Sequence, residues 1–336
     1  MKSLSLALAA TFALVPAPAD ATTVSTVASK IDVPWAVAFL PDRTALVTER
    51  NTGRVLSVKG RTVREVAKIP GVQAGGEGGL LGIAVSPRYT ADRYVFVYYT
   101  TEHDNRVARL RIGGAPEPVV TGIPAGGYQI GGRIAFGPDG HLYLGTGDVT
   151  NGDDAQNPAS LAGKILRVTT EGKPAPGNPV PGSPVYSLGH RNVQGFTWDA
   201  KGRMYASELG QQEFDEVNRI LPGRNYGWPV CEGRCGNAKF TDPLVTWTVD
   251  KASPSGMAFY RNSLYVTALR GERVWKVPVK SDGTLGKPAS AFTGNGRLRD
   301  AVATPDGKLW LTTSNRDGNG AGEPGPNDDR VLATSG

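Results

Sequence analysis

Six copies of one local pattern run down the chain, and they leave few folds open. Each copy is an apolar strand, a turn of the Pro-Asp-Gly kind, and a second strand that ends in small or polar residues. The copies are Trp35-Ala-Val-Ala-Phe-Leu-Pro-Asp42 with Ala45–Glu49, Leu80–Pro87 with Tyr94–Tyr99, and Gly132–Gly140 with His141–Gly145. Val193–Asp199 with Arg203–Glu208, Ser255–Tyr260 with Ser263–Thr267, and Asp300–Gly307 with Lys308–Thr312 complete the set. Alternating or continuous apolar residues around such a turn specify a β-hairpin. Hairpins that recur about every 45–60 residues are the mark of propeller blades. The pattern predicts an all-β fold, a six-bladed β-propeller with four-stranded antiparallel blades. The end strands, near 24–31 and 330–333, are expected to share one blade and close the ring. A β-sandwich would not need six turn-matched hairpins at this spacing. With 44 glycines and 25 prolines, the chain has the turn residues that so many short strands demand. The Gly/Pro-rich stretches at 172–184 and 318–328 read as loops, because the repeat continues past the first of them.

The N-terminus has a different character. Met1-Lys2 precedes an apolar run to Val15, and Ala19-Asp20-Ala21 follows. A positive start, a short apolar stretch and a small-x-small site make a secretory signal peptide over residues 1–21. Residues 22–336 are then one propeller domain, exported to a periplasm or secreted. No later segment is apolar enough to span a bilayer. The formal net charge is +6, with basic residues scattered rather than gathered in a run. That distribution argues against a nucleic-acid surface and suits small anionic ligands. Cys231 and Cys235 are the only cysteines, and in an oxidising compartment they are expected to pair as a local disulfide. Two sulfurs without a neighbouring histidine make a poor metal site.

Polar groups recur where inner strands end. They are Glu77, Arg133, Asp148, the run His190-Arg191-Asn192, Arg270, Arg297 and Arg299. Arginines from separate blades can meet only across the central channel. Their planar forks suit carboxylates, and a cluster of them needs an acidic, planar partner to offset mutual repulsion. The competing reading makes each a surface or interblade ion pair.

Several ordered motifs resemble one family. They are Gly78-Gly-Leu-Leu-Gly82, Gly132–Gly140, Gly189-His-Arg-Asn-Val-Gln-Gly195, Ser207-Glu-Leu-Gly210, Asp215-Glu-Val-Asn218 and Asn225-Tyr-Gly-Trp-Pro229, followed by Ala268–Glu272 and Arg297–Asp300. Together, over nearly the whole mature chain, they resemble the soluble aldose and glucose dehydrogenases that use pyrroloquinoline quinone (PQQ), the glucose/sorbosone dehydrogenases. The resemblance implies PQQ and calcium as cofactors and a small sugar as substrate. It implies that Arg297, Arg299, Arg270, Arg191, Asn192 and Glu77 face the cofactor. It implies that the backbone carbonyls of Gly210 and Gln211 hold calcium; Asp215 and Glu216 stand where the family has acidic residues near the ion, and read equally as a metal-supporting pair or a solvated turn. Oxygen donors suit this hard cation. His190 is expected to brace the loop that carries Arg191, and Asp148 to cap a turn.

The resemblance also exposes a departure. The family places its general base, a histidine, four residues before the arginine of Gly-Arg-Ile. Here that place is Gln129, with Ile130 beside it. The three histidines are His103, His141 and His190, and none falls at this position. A glutamine can hydrogen-bond a sugar hydroxyl but cannot accept its proton near neutral pH. Loss of a positioned base typically costs about 10²–10⁴ in rate. The residues therefore suggest a PQQ- and calcium-dependent oxidoreductase, monomeric or dimeric, that turns an aldose into its lactone and passes electrons to an external acceptor. The alternative is a PQQ- or sugar-binding propeller with weak or no catalysis. A calcium-dependent hydrolase of the lactonase kind would need acidic side chains converging on one metal, where this chain offers arginines.

Overall fold

The computed structural model describes residues 24–320 and 322–334. The expected signal peptide lies outside them. The chain forms six four-stranded antiparallel sheets. Their innermost strands are Pro34–Phe39, Leu80–Val85, Gly131–Phe136, Val193–Trp198, Pro254–Tyr260 and Leu298–Ala303. Each packs against the next, and the last returns to the first. The result is a closed six-bladed propeller. Val24–Ser29 pairs with Arg330–Thr334 as the outer edge of the sixth blade, so both ends of the fold lock into one sheet. The two helices described are single turns, Tyr89–Asp92 and Gly152–Gln156. The first of them replaces the tight turn expected in the second hairpin.

The hairpin turns are held by their aspartates. Asp42 accepts from the N–H of Thr44 (3.0 Å), and Asp199 accepts from Lys201 (2.9 Å) and Arg203 (3.0 Å). A short carboxylate that bonds the backbone two residues on is the reason this residue recurs there. Between blades, Trp35, Phe96, Tyr98 and Tyr205 are fully buried with Leu46, Leu80 and Leu142. Each such side chain contributes about 1.5–3 kcal/mol through burial.

Every innermost strand breaks register near its start. The shifts fall between Pro34 and Val37, Leu80 and Ile83, Gly131 and Arg133, Val193 and Gly195, Pro254 and Met257, and Leu298 and Asp300. A bulge leaves an unpaired residue and turns its side chain out of the pleat. In the fourth and sixth blades those extra residues are Gln194 and Arg299, which both reach the axis.

Candidate active site

Two cavities lie at the end of the channel where the innermost strands begin. The inner one, about 460 Å³, is walled by Arg50, Glu77, Arg270, Arg297, Arg299 and Asp317, with Gln194 and Leu209 beside them. Arg297 and Arg299 both grip one oxygen of Asp317, at 3.0 and 3.2 Å, and the hydroxyl of Ser314 donates to the same oxygen at 2.9 Å. Burial would raise the Asp317 carboxyl, but Arg299 and Arg297 outweigh it and hold it below the usual carboxylate range. One carboxylate does not satisfy two arginines. Burial pushes Arg299 down to about 10; Asp317 opposes this, and the repulsion of Arg50 and Arg297 adds to it. Arg270 is exposed at the rim and makes no ion pair among the described residues. Four guanidinium groups against Glu77 and Asp317 leave the cavity positive.

The outer cavity, about 790 Å³, takes its walls from the third and fourth blades. Gln129, Asp148, Arg191, Gln211, Trp228 and Glu232 line it. Neighbouring residues divide the two spaces: Tyr128 faces the inner cavity and Gln129 the outer, Leu209 the inner and, two residues on, Gln211 the outer. A hydrogen-bond chain ties the inner wall together through Asn192. Asn192 donates to Glu77 (3.2 Å), Gln194 donates to Asn192 (3.1 Å), and Arg299 donates to Gln194 (3.4 Å).

Gln129 sits in the left-handed region with φ 50°, and its carbonyl accepts from the N–H of Val149 at 3.1 Å. A side chain at Gly147 would collide with that carbonyl, so the glycine is what lets this loop close. The side-chain oxygen of Gln129 is buried and has no hydrogen-bond partner among the described residues. Asp148 caps the adjoining turn through the N–H of Thr150 (3.0 Å) and accepts from the Trp228 indole (2.7 Å). Burial raises its carboxyl, although the indole opposes this. The Arg191 guanidinium lies over the Trp228 ring, 5.4 Å from its centre. It donates to the carbonyls of Leu209 (3.2 Å) and Gly210. His190 is fully buried between Ser187 (2.8 Å), Glu208 (3.1 Å) and the Tyr226 ring, which braces the Arg191 loop. Burial, then the charge of Glu208, raises the carboxyl of Glu216. Cys231 and Cys235 are joined, with Cα atoms 5.5 Å apart.

The pattern of the Glucose / Sorbosone dehydrogenase family matches residues 31–321. The chain belongs to that family. Among solved structures, this family member is similar to the PQQ-bound aldose sugar dehydrogenase of Streptomyces coelicolor. The two share 47% identity and a TM-score of 0.88, over 95% of this chain and 99% of that one. It is 28% identical to aldose sugar dehydrogenase YliI of Escherichia coli K12 over 91% of this chain and 93% of that protein. Quinoprotein glucose dehydrogenase B of Acinetobacter calcoaceticus is 28% identical over 61% of this chain and 52% of its own length.

The structure brings Glu77, Arg270, Arg297 and Arg299 into one cavity, and it places Arg191 with Gln129 in the neighbouring one. Arg133 joins neither. It turns toward the far side of the ring, where it pairs with Asp300 at 3.1 Å and lies 4.3 Å from the centre of the Trp35 ring. Its partner is the aspartate beside the sixth-blade bulge, and no local signal shows that pairing. The carbonyl of Gly210 is engaged by Arg191. Among the described residues no cluster of three or more His, Cys, Asp or Glu side chains could hold a metal. Arg50, Gln194 and Asp317 escaped the sequence reading. Arg50 directly follows the second strand of its blade, as Asp148 and Arg270 nearly do, so that spacing could have found it.

Proposed function

We propose that this chain is a PQQ- and calcium-dependent dehydrogenase that oxidises an aldose or a similar sugar to its lactone, with electrons passed to an external acceptor. The observation that carries the reading is the inner cavity, where four arginines from three blades face one space with two carboxylates. A planar tricarboxylate supplies the negative charge that this wall lacks. Arg50, Arg270, Arg297 and Arg299 would hold its carboxylates, with Asn192 and Glu77 at its edge. The carbonyls of Gly210 and Gln211 would hold calcium, the first once Arg191 releases it. Carbonyl oxygens supplemented by an anionic ligand suit that ion. When bound, PQQ supplies a two-electron acceptor for the sugar C1 hydride, and calcium beside it acts as a Lewis acid. The PQQ-bound relative at 47% identity supports the assignment.

The outer cavity takes the sugar in this reading. The Gln129 amide can hydrogen-bond the C1 hydroxyl once its buried oxygen turns toward the cavity, but it cannot carry the proton away. That residue favours a second reading, a PQQ- or sugar-binding propeller with weak or no turnover. Export to a periplasm or the medium, as one domain over residues 22–336 after loss of 1–21, accords with the disulfide. Among the described residues no helix is long and apolar enough to cross a membrane.

One experiment separates the readings. Purified protein is titrated with PQQ and calcium while quinone absorbance is followed, and aldoses are then added with a dye acceptor. Dye reduction supports the enzyme. Tight uptake without reduction supports the binding propeller. No uptake sinks both.

A further inference from the structure

The disulfide-closed turn reaches back onto the loop that follows Glu208. One carboxylate oxygen of Glu232 accepts from four successive backbone N–H groups: Gln211 (2.6 Å), Gln212 (3.0 Å), Glu213 (3.0 Å) and Phe214 (3.0 Å). Successive amides aimed at one point form an anion-binding nest. Here the chain fills the nest with its own side chain. Gly210 has no room for a Cβ, because the Phe214 carbonyl and the Glu232 carboxylate occupy that space. The turn that presents Glu232 is anchored in its own right. Gly233 donates to the buried Glu216 at 2.7 Å, Cys231 donates to the Gly227 carbonyl at 3.1 Å, and the disulfide closes the turn. The nested loop leads directly to the cavity wall, since Gly210 also donates to Asp215 at 3.0 Å and its carbonyl receives Arg191.

We propose that Glu232 is a positioning residue: it fixes the carbonyls of Gly210 and Gln211 at the outer cavity, and the Cys231–Cys235 disulfide holds it over the nest. The inference rests on the reading that these carbonyls take calcium. The loop has no ladder of its own between Glu208 and Phe214, so the carboxylate is its main internal tie. Removing it frees four donors to water and lets the two carbonyls turn away. Outer partners that orient metal ligands typically change metal affinity about 10–100-fold.

The test uses the full chain as wild type, Glu232→Ala, Glu232→Gln and the double variant Cys231→Ser/Cys235→Ser. Amide hydrogen exchange is measured on the apo protein, and calcium affinity on the PQQ-loaded protein. In Glu232→Ala the amides of 211–214 should exchange at least about tenfold faster, with 193–198 unchanged. Its calcium affinity should fall about 10–100-fold. Glu232→Gln keeps a carbonyl acceptor and should fall between; it decides the matter if the alanine variant does not fold. The cysteine variant should shift in the same direction by less. Unchanged exchange at 211–214 overturns the proposal, and so does faster exchange with unchanged calcium affinity. If the wild type takes up no calcium, the cation reading alone fails, and exchange at 211–214 then decides for or against Glu232.

Discussion

The two cavities at the axis are built differently. The inner wall, from the first, fifth and sixth blades, is crowded with charge: Arg50, Arg270, Arg297 and Arg299 against Glu77 and Asp317. The outer wall, from the third and fourth blades, is acidic instead: Asp148, Asp153, Glu213 and Glu232 line it beside the Gln129 amide and the Trp228 indole, with Arg191 drawn onto backbone carbonyls. The inner wall has the charge needed to hold a multiply anionic ring. The outer wall presents Gln129 and, among the described residues, has no histidine in its lining. On the proposed reading, cofactor binding and turnover depend on different blades and are therefore separable.

The sharpest way to probe that separation is to restore the base. Gln129→His should raise sugar turnover by about 10²–10⁴ with PQQ affinity unchanged. Steady-state kinetics with a dye acceptor, beside a PQQ titration, measures both. An unchanged rate would mean that another group already carries the proton. Next in size is Arg299→Gln, which strips one of two buried cations from Asp317. PQQ affinity should weaken about 30- to 4,000-fold, as truncation of a buried charged contact costs about 2–5 kcal/mol. A melting curve confirms that the variant is folded. Arg50→Gln should act in the same direction but more weakly, by roughly 5–20-fold, since its charge is shared among Asp317, Asp32, Glu77 and Asp329. Equal losses at the two sites would break the picture of a graded wall.

The smallest effect concerns the support of the outer wall. Lys164 is fully buried, and its ammonium donates to the carbonyls of Asp154 (2.7 Å), Ala155 (3.1 Å) and Ala162 (2.6 Å), which secures the helical turn Gly152–Gln156. Burial pushes its pKa down to about 8, against 10.5 for the ordinary side chain, with Asp154 opposing. Between those values the unfolded chain binds more protons, so this group makes stability rise with pH. Lys164→Met lacks that response. The gap in unfolding free energy, wild type minus variant, should rise as pH climbs past 8. A gap independent of pH would show that Lys164 is not strained by burial.

The sequence reading succeeds where the signal is local. The six hairpins are legible because their Pro, Asp and Gly residues act within three or four positions, as the Asp42 and Asp199 turns show. Arg297 and Arg299 are legible through the family motif, Arg297 directly before an innermost strand and Arg299 as the extra residue of its bulge. Gln194 is not, because it reaches the cavity as the extra residue of a bulge, and register is set by the neighbouring strand. Arg133 also stands in one of the family motifs, Gly132–Gly140, yet Asp300 draws it to the other end of the channel. Glu232 is the extreme case. It looks like a solvated turn residue, and its role exists only because the amides of 211–214 curl around it.

Titration of PQQ into the wild-type protein and into Arg297→Gln/Arg299→Gln, followed by quinone absorbance in the presence of calcium, tests the charged inner wall most directly. The wild type should saturate at one PQQ per chain, and the double variant should show little uptake while melting as a folded protein. Uptake by the double variant as tight as by the wild type would contradict the account.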